Sequence, residues 1–257
     1  VGRGPSTGVY GEACDARTGW ASAAAGDVNG DERGDLLLSG ELQTYTEDGE
    51  GDRQGRVYLI LGRAEAFPET VCLSEADAVL DGDEEDEMAG ESLAGGHDLD
   101  GDGVPDLVIG APYAGVYAGK AYVVSGAAAS AAGNAELADV ATSLAGDGDS
   151  YDAFGWSVAS PGDLTGDGLG EIAVGVPGHD EPGSSAGALW LFPGDVSLAQ
   201  GQAPQPLAVI SGEWWEHDFG LRAAGGDVDG DGATDLVVSA IYAHQGFAGM
   251  AGRVYVY

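Results

Sequence analysis

The chain has 257 residues, of which 44% are hydrophobic and 46 are glycine. That apolar content supports a packed core and argues against global disorder, and the glycines lack the strict three-residue period of collagen. Nine basic residues stand against 44 acidic ones, a formal charge of −35, which repels nucleic acid and anionic membrane surfaces and favours bound cations.

No apolar run approaches the roughly 18–20 residues needed to cross a bilayer, so no membrane insertion is expected. The longest runs, such as DLVIGAP and EIAVGVP, are strand-sized. With no initiator Met and no signal-peptide pattern, the chain reads as processed or as a piece cut from something longer. Cys14 and Cys72 allow one disulfide at most, and two unrelated small hydrophobes are an equally open reading.

Residues 1–6 form a tail, and the first strand-like segment is Val9-Tyr10. From there one pattern recurs, over 19–82, 90–146, 155–212 and 220–257. Each unit opens on a glycine and a small-residue run: TGWASAAAG, AGESLAGGH, FGWSVASPG and FGLRAAGG. An acidic turn follows: DVNGDERGD at 27–35, DLDGDGVPD at 98–106, DLTGDGLGE at 163–171 and DVDGDGATD at 227–235. Next come an apolar run (LLLSG, LVIGAP, IAVGVP, LVVSAI) and a glycine-led alternating run (GRVYLILG, GKAYVVSG, GALWLFPG, GRVYVY). Three units add a fourth short run, AVLDG, TSLAG or AVISG.

Four short strands in a unit of about 65 residues describe one blade of a β-propeller, whereas solenoid units are shorter and carry fewer strands. The expected fold is therefore all-β: a propeller of four-stranded antiparallel blades, four in this chain, forming one domain over 7–257. The last unit ends at Tyr257 after its third strand. The segment TGVYGEACDARTGW at 7–20 aligns without gaps to AVISGEWWEHDFGL at 208–221. Residues 7–11 are thus expected to complete the last blade and close a four-bladed ring. An arc of a larger ring satisfies the same arithmetic.

Acids at alternating positions point inward only if the backbone curls round a centre. Three or four carboxylates would then repel one another unless a cation sits among them. A hard divalent ion with oxygen ligands fits, and Ca²⁺ accepts 6–8 of them in flexible geometry. The expected side-chain ligands are Asp27, Asn29, Asp31 and Asp35; Asp98, Asp100, Asp102 and Asp106; Asp163, Thr165, Asp167 and Glu171; and Asp227, Asp229, Asp231 and Asp235. Position 7 offers the carbonyls of Arg33, Val104, Leu169 and Ala233. Up to four Ca²⁺ sites result, with the second and fourth loops the tightest and the third, with Thr165, the weakest. These are not EF-hands, because position 12 is Leu38, Ile109, Val174 or Val238 inside an apolar strand rather than Glu.

These residues resemble the FG-GAP repeat of the integrin α-subunit N-terminal propeller. The "FG" stands at Phe154-Gly155 and Phe219-Gly220, and the "GAP" at Gly110-Ala111-Pro112, with GVP at 175–177. The first unit departs from the pattern, with TG at 18–19 and SGE at 39–41, and the last has SAI at 239–241. The resemblance implies Ca²⁺ between the first and second strands, a secreted or cell-surface setting, and adhesion or recognition through the face opposite the metal loops. It also implies seven-bladed rings, where this chain has sequence for four.

On that opposite face the candidate partner-binding residues are Trp214 and Trp215, of which at most one easily faces the core in an extended segment, together with Tyr113, Tyr117, Tyr242 and Phe247. The expected partner is a protein or a glycan, and homo-oligomerisation or ring completion with another chain is the further expectation. Alternatives are a structural building block of an extracellular assembly and a polysaccharide-lyase-like enzyme. Catalysis is not expected. His97, His179, His217 and His244 occupy different repeat positions and form no HxH or HExxH pair. Arg56, Lys120 and Arg253 each begin a third strand, which reads as a structural regularity.

Overall fold

A computed structural model describes residues 7–11, 18–40, 44–45, 51–195, 197–198, 201–243 and 251–257. The chain opens with β1 (Gly8–Tyr10), β2 (Ser22–Gly26), β3 (Asp35–Gly40), the short pair β4 (Thr44–Tyr45) and β5 (Gly51–Asp52), and β6 (Arg56–Ile60). It continues through β7 (Thr70–Cys72), a 3-10 turn at Leu73–Glu75, and β8 (Ala78–Asp81). The second unit holds β9 (Ser92–His97), β10 (Asp106–Ala111), α1 (Ala114–Tyr117), β11 (Lys120–Val124), α2 (Gly126–Ala132), β12 (Asn134–Glu136), α3 (Leu137–Val140) and β13 (Ala141–Leu144). The third holds β14 (Ser157–Gly162), β15 (Glu171–Val176), β16 (Ala188–Phe192) and β17 (Ala208–Ser211). The fourth holds β18 (Phe219–Gly226), β19 (Asp235–Ala240) and β20 (Arg253–Val256).

The four units form successive antiparallel sheets, in the orders β2-β3-β6-β8, β9-β10-β11-β13, β14-β15-β16-β17 and β18-β19-β20. The first sheet gains β12 as a parallel fifth strand on β8. Every residue of β10 and β15 is buried, as expected for continuous apolar runs covered on both faces. The core lies between sheets. Leu37, Val57 and Leu80 pack with Leu107, Ile109 and Tyr122 at one junction. Val108 and Val123 meet Phe154, Ile172 and Val174 at the next, and Ala173 and Leu189 meet Phe219 and Val238 at the third.

The FG and GAP glycines are explained by this stacking. Gly155 and Gly220 have φ of +89° and +87°, a region that glycine enters without steric penalty. That turn presses each carbonyl against the preceding sheet. A Cβ on Gly110 would lie 2.1 Å from the Gly155 oxygen, and one on Gly175 would lie 1.9 Å from the Gly220 oxygen. The same carbonyls accept hydrogen bonds from Ser92 Oγ (3.0 Å) and Ser157 Oγ (2.8 Å).

The structure differs from expectation at three places. First, β1 does not complete the last sheet. It pairs in parallel with β7, Val9 opposite Val71 and Tyr10 opposite Cys72. There Val9 packs on a cluster of Leu38, Tyr58, Ile60, Val71, Leu73 and Val79, whereas Val254 and Val256 on β20 are exposed. Burial of apolar surface favours the first seat. Second, β2 packs on β9, β9 on β14 and β14 on β18, but no comparable packing joins β18 to β2 among the described residues, so no closed ring forms there. Third, within the all-β architecture the alanine-rich stretch after β11 folds into the short helices α2 and α3, in keeping with the high helix propensity of alanine. Cys14 lies outside the described residues, and its pairing with Cys72 with it.

Candidate metal loops and the opposite face

The four acidic turns share one hydrogen-bonding scheme. The position-1 carboxylate accepts backbone N–H groups from positions 4 to 6. Asp98 accepts from Gly101 (2.7 Å) and Gly103 (2.8 Å), Asp163 from Gly166 (2.6 Å) and Gly168 (2.9 Å), and Asp227 from Gly230 (2.6 Å) and Gly232 (3.0 Å). Asp27 does the same with Asp31 and Glu32. The position-5 acids Asp31, Asp102, Asp167 and Asp231 accept from the position-7 N–H of Arg33, Val104, Leu169 and Ala233. The position-9 acid reaches back to position 2. Asp35, Asp106 and Asp235 accept from Val28, Leu99 and Val228 at 2.9, 2.7 and 2.7 Å, and Glu171 accepts from Leu164. In the first two units the other oxygen of that acid takes the N–H after the third strand, Gly62 at 2.6 Å and Gly126 at 2.9 Å.

Three loops each bring three carboxylates within 4.8 Å of one another: Asp98, Asp100 and Asp106; Asp163, Asp167 and Glu171; Asp227, Asp229 and Asp235. An all-oxygen, anionic donor set of this kind fits a hard divalent cation. Among the described residues the first loop gathers no such trio, whereas the third does. Position 6 supplies a reason. Gly103, Gly168 and Gly232 have φ of +85°, +96° and +90°, and Glu32 is held at +66°, where a Cβ is strained by about 1 kcal/mol. In the third loop the Thr165 hydroxyl donates to Glu171 at 3.4 Å.

Burial and mutual repulsion leave their mark on these acids. Burial lifts the Asp106 carboxyl to about 7, with Asp100 and Asp102 adding to the rise against the N–H bonds from Gly126 and Leu99. Burial likewise raises Asp35, Asp100 and Glu171. At Asp163 desolvation acts upward, but the N–H groups of Gly166, Gly168 and Asp167 hold the carboxyl below its usual range.

A family model of the FG-GAP repeat matches residues 89–124, 154–192 and 219–257. The chain carries three FG-GAP repeats. The first unit, which lacks both FG and GAP, lies outside the match. Relatives include integrin alpha-5 of Xenopus laevis, 35% identical over 56% of this chain and 14% of that protein. Human phosphatidylinositol-glycan-specific phospholipase D is 32% identical over 79% of this chain and 24% of its own length. Integrin alpha-PS2 of Drosophila melanogaster is 34% identical over 63% of this chain and 12% of its length. The chain thus spans a quarter or less of each of these relatives. No described helix is long and apolar enough to cross a membrane.

The FG-GAP meander sends the loops between second and third strands, and those between units, to the end of each sheet opposite the metal loops. Aromatic side chains collect there. Trp156 meets Tyr113 edge-on at 6.1 Å, Tyr113 meets Tyr117 at 5.1 Å, and Tyr117 stacks on Tyr151 at 5.7 Å. A groove of 680 Å³ beside them is lined by Trp20, Met88, Tyr113 and Tyr117, with Arg53 and Glu91 among its charged walls. Trp214 and Trp215 are 63% and 58% exposed. They precede a turn in which Glu216 and Asp218 have φ of +56° and +47°. Tyr242 lines a second hollow with Ser185 and Asp218, while Phe247 and His244 lie outside the described residues.

The junction between the first and second units holds a buried network that the spacing of motifs did not reveal. The Tyr122 hydroxyl donates to Glu87 (2.8 Å) and to Asp83, and the Lys120 ammonium lies 3.2 Å from Glu87 and 2.8 Å from Glu84. Glu87 is fully buried. Burial lifts its carboxyl, against the pull of Tyr122 and Lys120. Lys120→Met removes the ammonium and leaves that carboxylate uncompensated, at a cost of roughly 3 kcal/mol. Urea titration of the variant in millimolar calcium checks this, and an unchanged midpoint contradicts it.

Proposed function

We propose that the chain is an arc of calcium-stabilised β-propeller blades that acts, outside the cell, as a non-catalytic binding module for a protein or a glycan. The row Trp156–Tyr113–Tyr117–Tyr151 carries this reading. It is a continuous aromatic surface at the end of the sheets away from the metal loops, and such rings serve both sugar stacking and protein anchoring. Three trios of carboxylates support Ca²⁺, and a Ca²⁺ requirement suits the extracellular setting that the integrin resemblance implies. The charge of −35 disfavours nucleic acid and anionic lipid as partners. The open ends of the arc are compatible with ring completion by another chain.

The test is a binding screen against glycan and extracellular-protein arrays in millimolar calcium, with Tyr117→Ala/Tyr151→Ala and Trp214→Ala/Trp215→Ala as matched variants. The Tyr pair is expected to weaken a hit by about tenfold or more, while both variants keep stability within about 0.5 kcal/mol, since these side chains are largely exposed. A hit that survives both variants unchanged rules this face out as its seat. Turnover of an acidic polysaccharide by the purified chain would replace the binding reading with an enzymatic one.

A further inference from the structure

A second kind of carboxylate cluster lies away from the metal loops, at the junction between the second and third units. Asp147 and Asp152 come from the connection between β13 and β14, and His179 from the loop between β15 and β16. One donor atom from each lies within 4.8 Å of the other two. Asp152 and His179 are 6% and 8% exposed, and the Asp147 side chain is 43% exposed. We propose that Asp147, Asp152 and His179 bind a divalent first-row transition ion of the zinc type, distinct from the all-oxygen loops.

The separations are the first support. His179 Nδ1 lies 3.4 Å from Asp152 Oδ2 and 3.9 Å from Asp147 Oδ2. An N–H···O hydrogen bond normally spans about 2.7–3.2 Å. Two donors on a tetrahedral ion at about 2.0–2.1 Å stand about 3.3–3.4 Å apart. The buried pair is spaced as neighbouring ligands are, and the exposed Asp147 needs only a small inward turn.

The second support is internal to the repeat. In three units the third strand carries a basic residue and, two positions on, a tyrosine: Arg56 and Tyr58, Lys120 and Tyr122, Arg253 and Tyr255. The register is the same each time, with Gly40, Ala111 and Ala240 facing the basic residue and Leu38, Ile109 and Val238 facing the tyrosine. At the first junction this pair neutralises Asp83 and Glu87. At the third, Arg253 reaches Glu213 at 2.7 Å. The third unit has Ala188 and Trp190 in those places, opposite Val176 and Val174. Its junction therefore keeps the two acids, Asp147 and Asp152, but loses the ammonium or guanidinium and the phenol. The group set before Asp152 in their stead is the His179 imidazole, 3.4 Å from its carboxylate. A metal ion restores the missing positive charge, and a nitrogen donor among carboxylates selects zinc-like ions over calcium.

The site is also held in place. Gly178 N–H donates to the Asp152 carbonyl at 3.1 Å, His179 N–H to Val176 at 3.2 Å, and Gly187 N–H to the His179 carbonyl at 3.0 Å.

The test uses the full chain with its loops filled by excess Ca²⁺. Co²⁺ is titrated by visible absorption and then displaced by Zn²⁺. Wild type is expected to take up one equivalent of Co²⁺ with the visible band of a nitrogen- and oxygen-ligated ion, and to release it to one equivalent of Zn²⁺. His179→Ala loses that equivalent while keeping its calcium-dependent melting. Asp147→Asn, altered at a half-exposed side chain, retains the fold and weakens Zn²⁺ by about tenfold or more, and it decides the matter if His179→Ala does not fold. Equal Co²⁺ uptake by wild type and His179→Ala, no Zn²⁺ equivalent in wild type, or unchanged affinity in Asp147→Asn overturns the proposal and leaves His179 as an ion-pair partner of Asp152.

Discussion

Replacing Asp106 with alanine is expected to destabilise the calcium-loaded protein by roughly 4 kcal/mol, a fall in melting temperature of about 8–16 °C for a domain of this size. The side chain is fully buried and closes three parts of the second unit at once. It accepts the N–H groups of Leu99 at 2.7 Å, Asp100 at 3.1 Å and Gly126 at 2.9 Å. Alanine strands these donors and removes one of the three gathered carboxylates. Asp106→Asn is the informative partner, since it keeps one acceptor oxygen and discards the charge. In calcium it falls between wild type and alanine. In chelator it comes close to wild type, because the charge it removes is one that the ion-free fold holds at a penalty. Differential scanning calorimetry in the two conditions measures both variants. Equal melting of Asp106→Ala and wild type in calcium would show that this residue closes nothing.

Chelation of the wild type is expected to have the largest effect of all, and one that grows with pH. A ligand present at about 100 times its dissociation constant stabilises by about 2.7 kcal/mol per site, so three gathered sites amount to roughly 8 kcal/mol. In the ion-free fold the Asp106 carboxyl titrates at about 7 against an unfolded value of 3.8. Between those values the folded state holds the proton more firmly than the unfolded state does. Its contribution is therefore fully present below about pH 4 and is lost as pH rises through 7, a loss of roughly 4 kcal/mol. Calcium reverses the trend, because its ligands bind as carboxylates and affinity rises with pH. The gap in melting temperature between calcium and chelator should widen from pH 5 to pH 8. Superimposable melts with and without chelator across that range would remove the metal from the account.

The repeats were legible because their punctuation is chemical. Gly at positions 4 and 6 of an acidic turn, followed by a six-residue apolar run, admits few conformations, and Asp98–Asp106 folds as its spacing required. The seat of β1 was not legible. Three residues carry no register of their own, and the alignment of 7–20 with 208–221 did not carry over to the pairing of β1. Val9 settled where Val71 and Leu73 offered apolar cover. The turn after Trp214 and Trp215 places two non-glycine residues, Glu216 and Asp218, in the left-handed region, a conformation no local pattern announces. The junction acids escaped notice because the connections holding Asp83–Glu87 and Asp147–Asp152 differ in length by one residue, and their partners lie a whole strand away. The regularity of Arg56, Lys120 and Arg253 was visible, but its break at Ala188 acquired meaning only once His179 stood beside the acids.

The contacts of Gly110 with Gly155 and of Gly175 with Gly220 leave no slack between neighbouring sheets. Main chain rests on main chain, so neither side-chain repacking nor solvent can alter that distance. The loops that carry Trp156, Tyr113, Tyr117 and Tyr151 spring from sheets whose separation is set in this way. A long, periodic molecule laid across them would be read by the match between its own repeat and theirs.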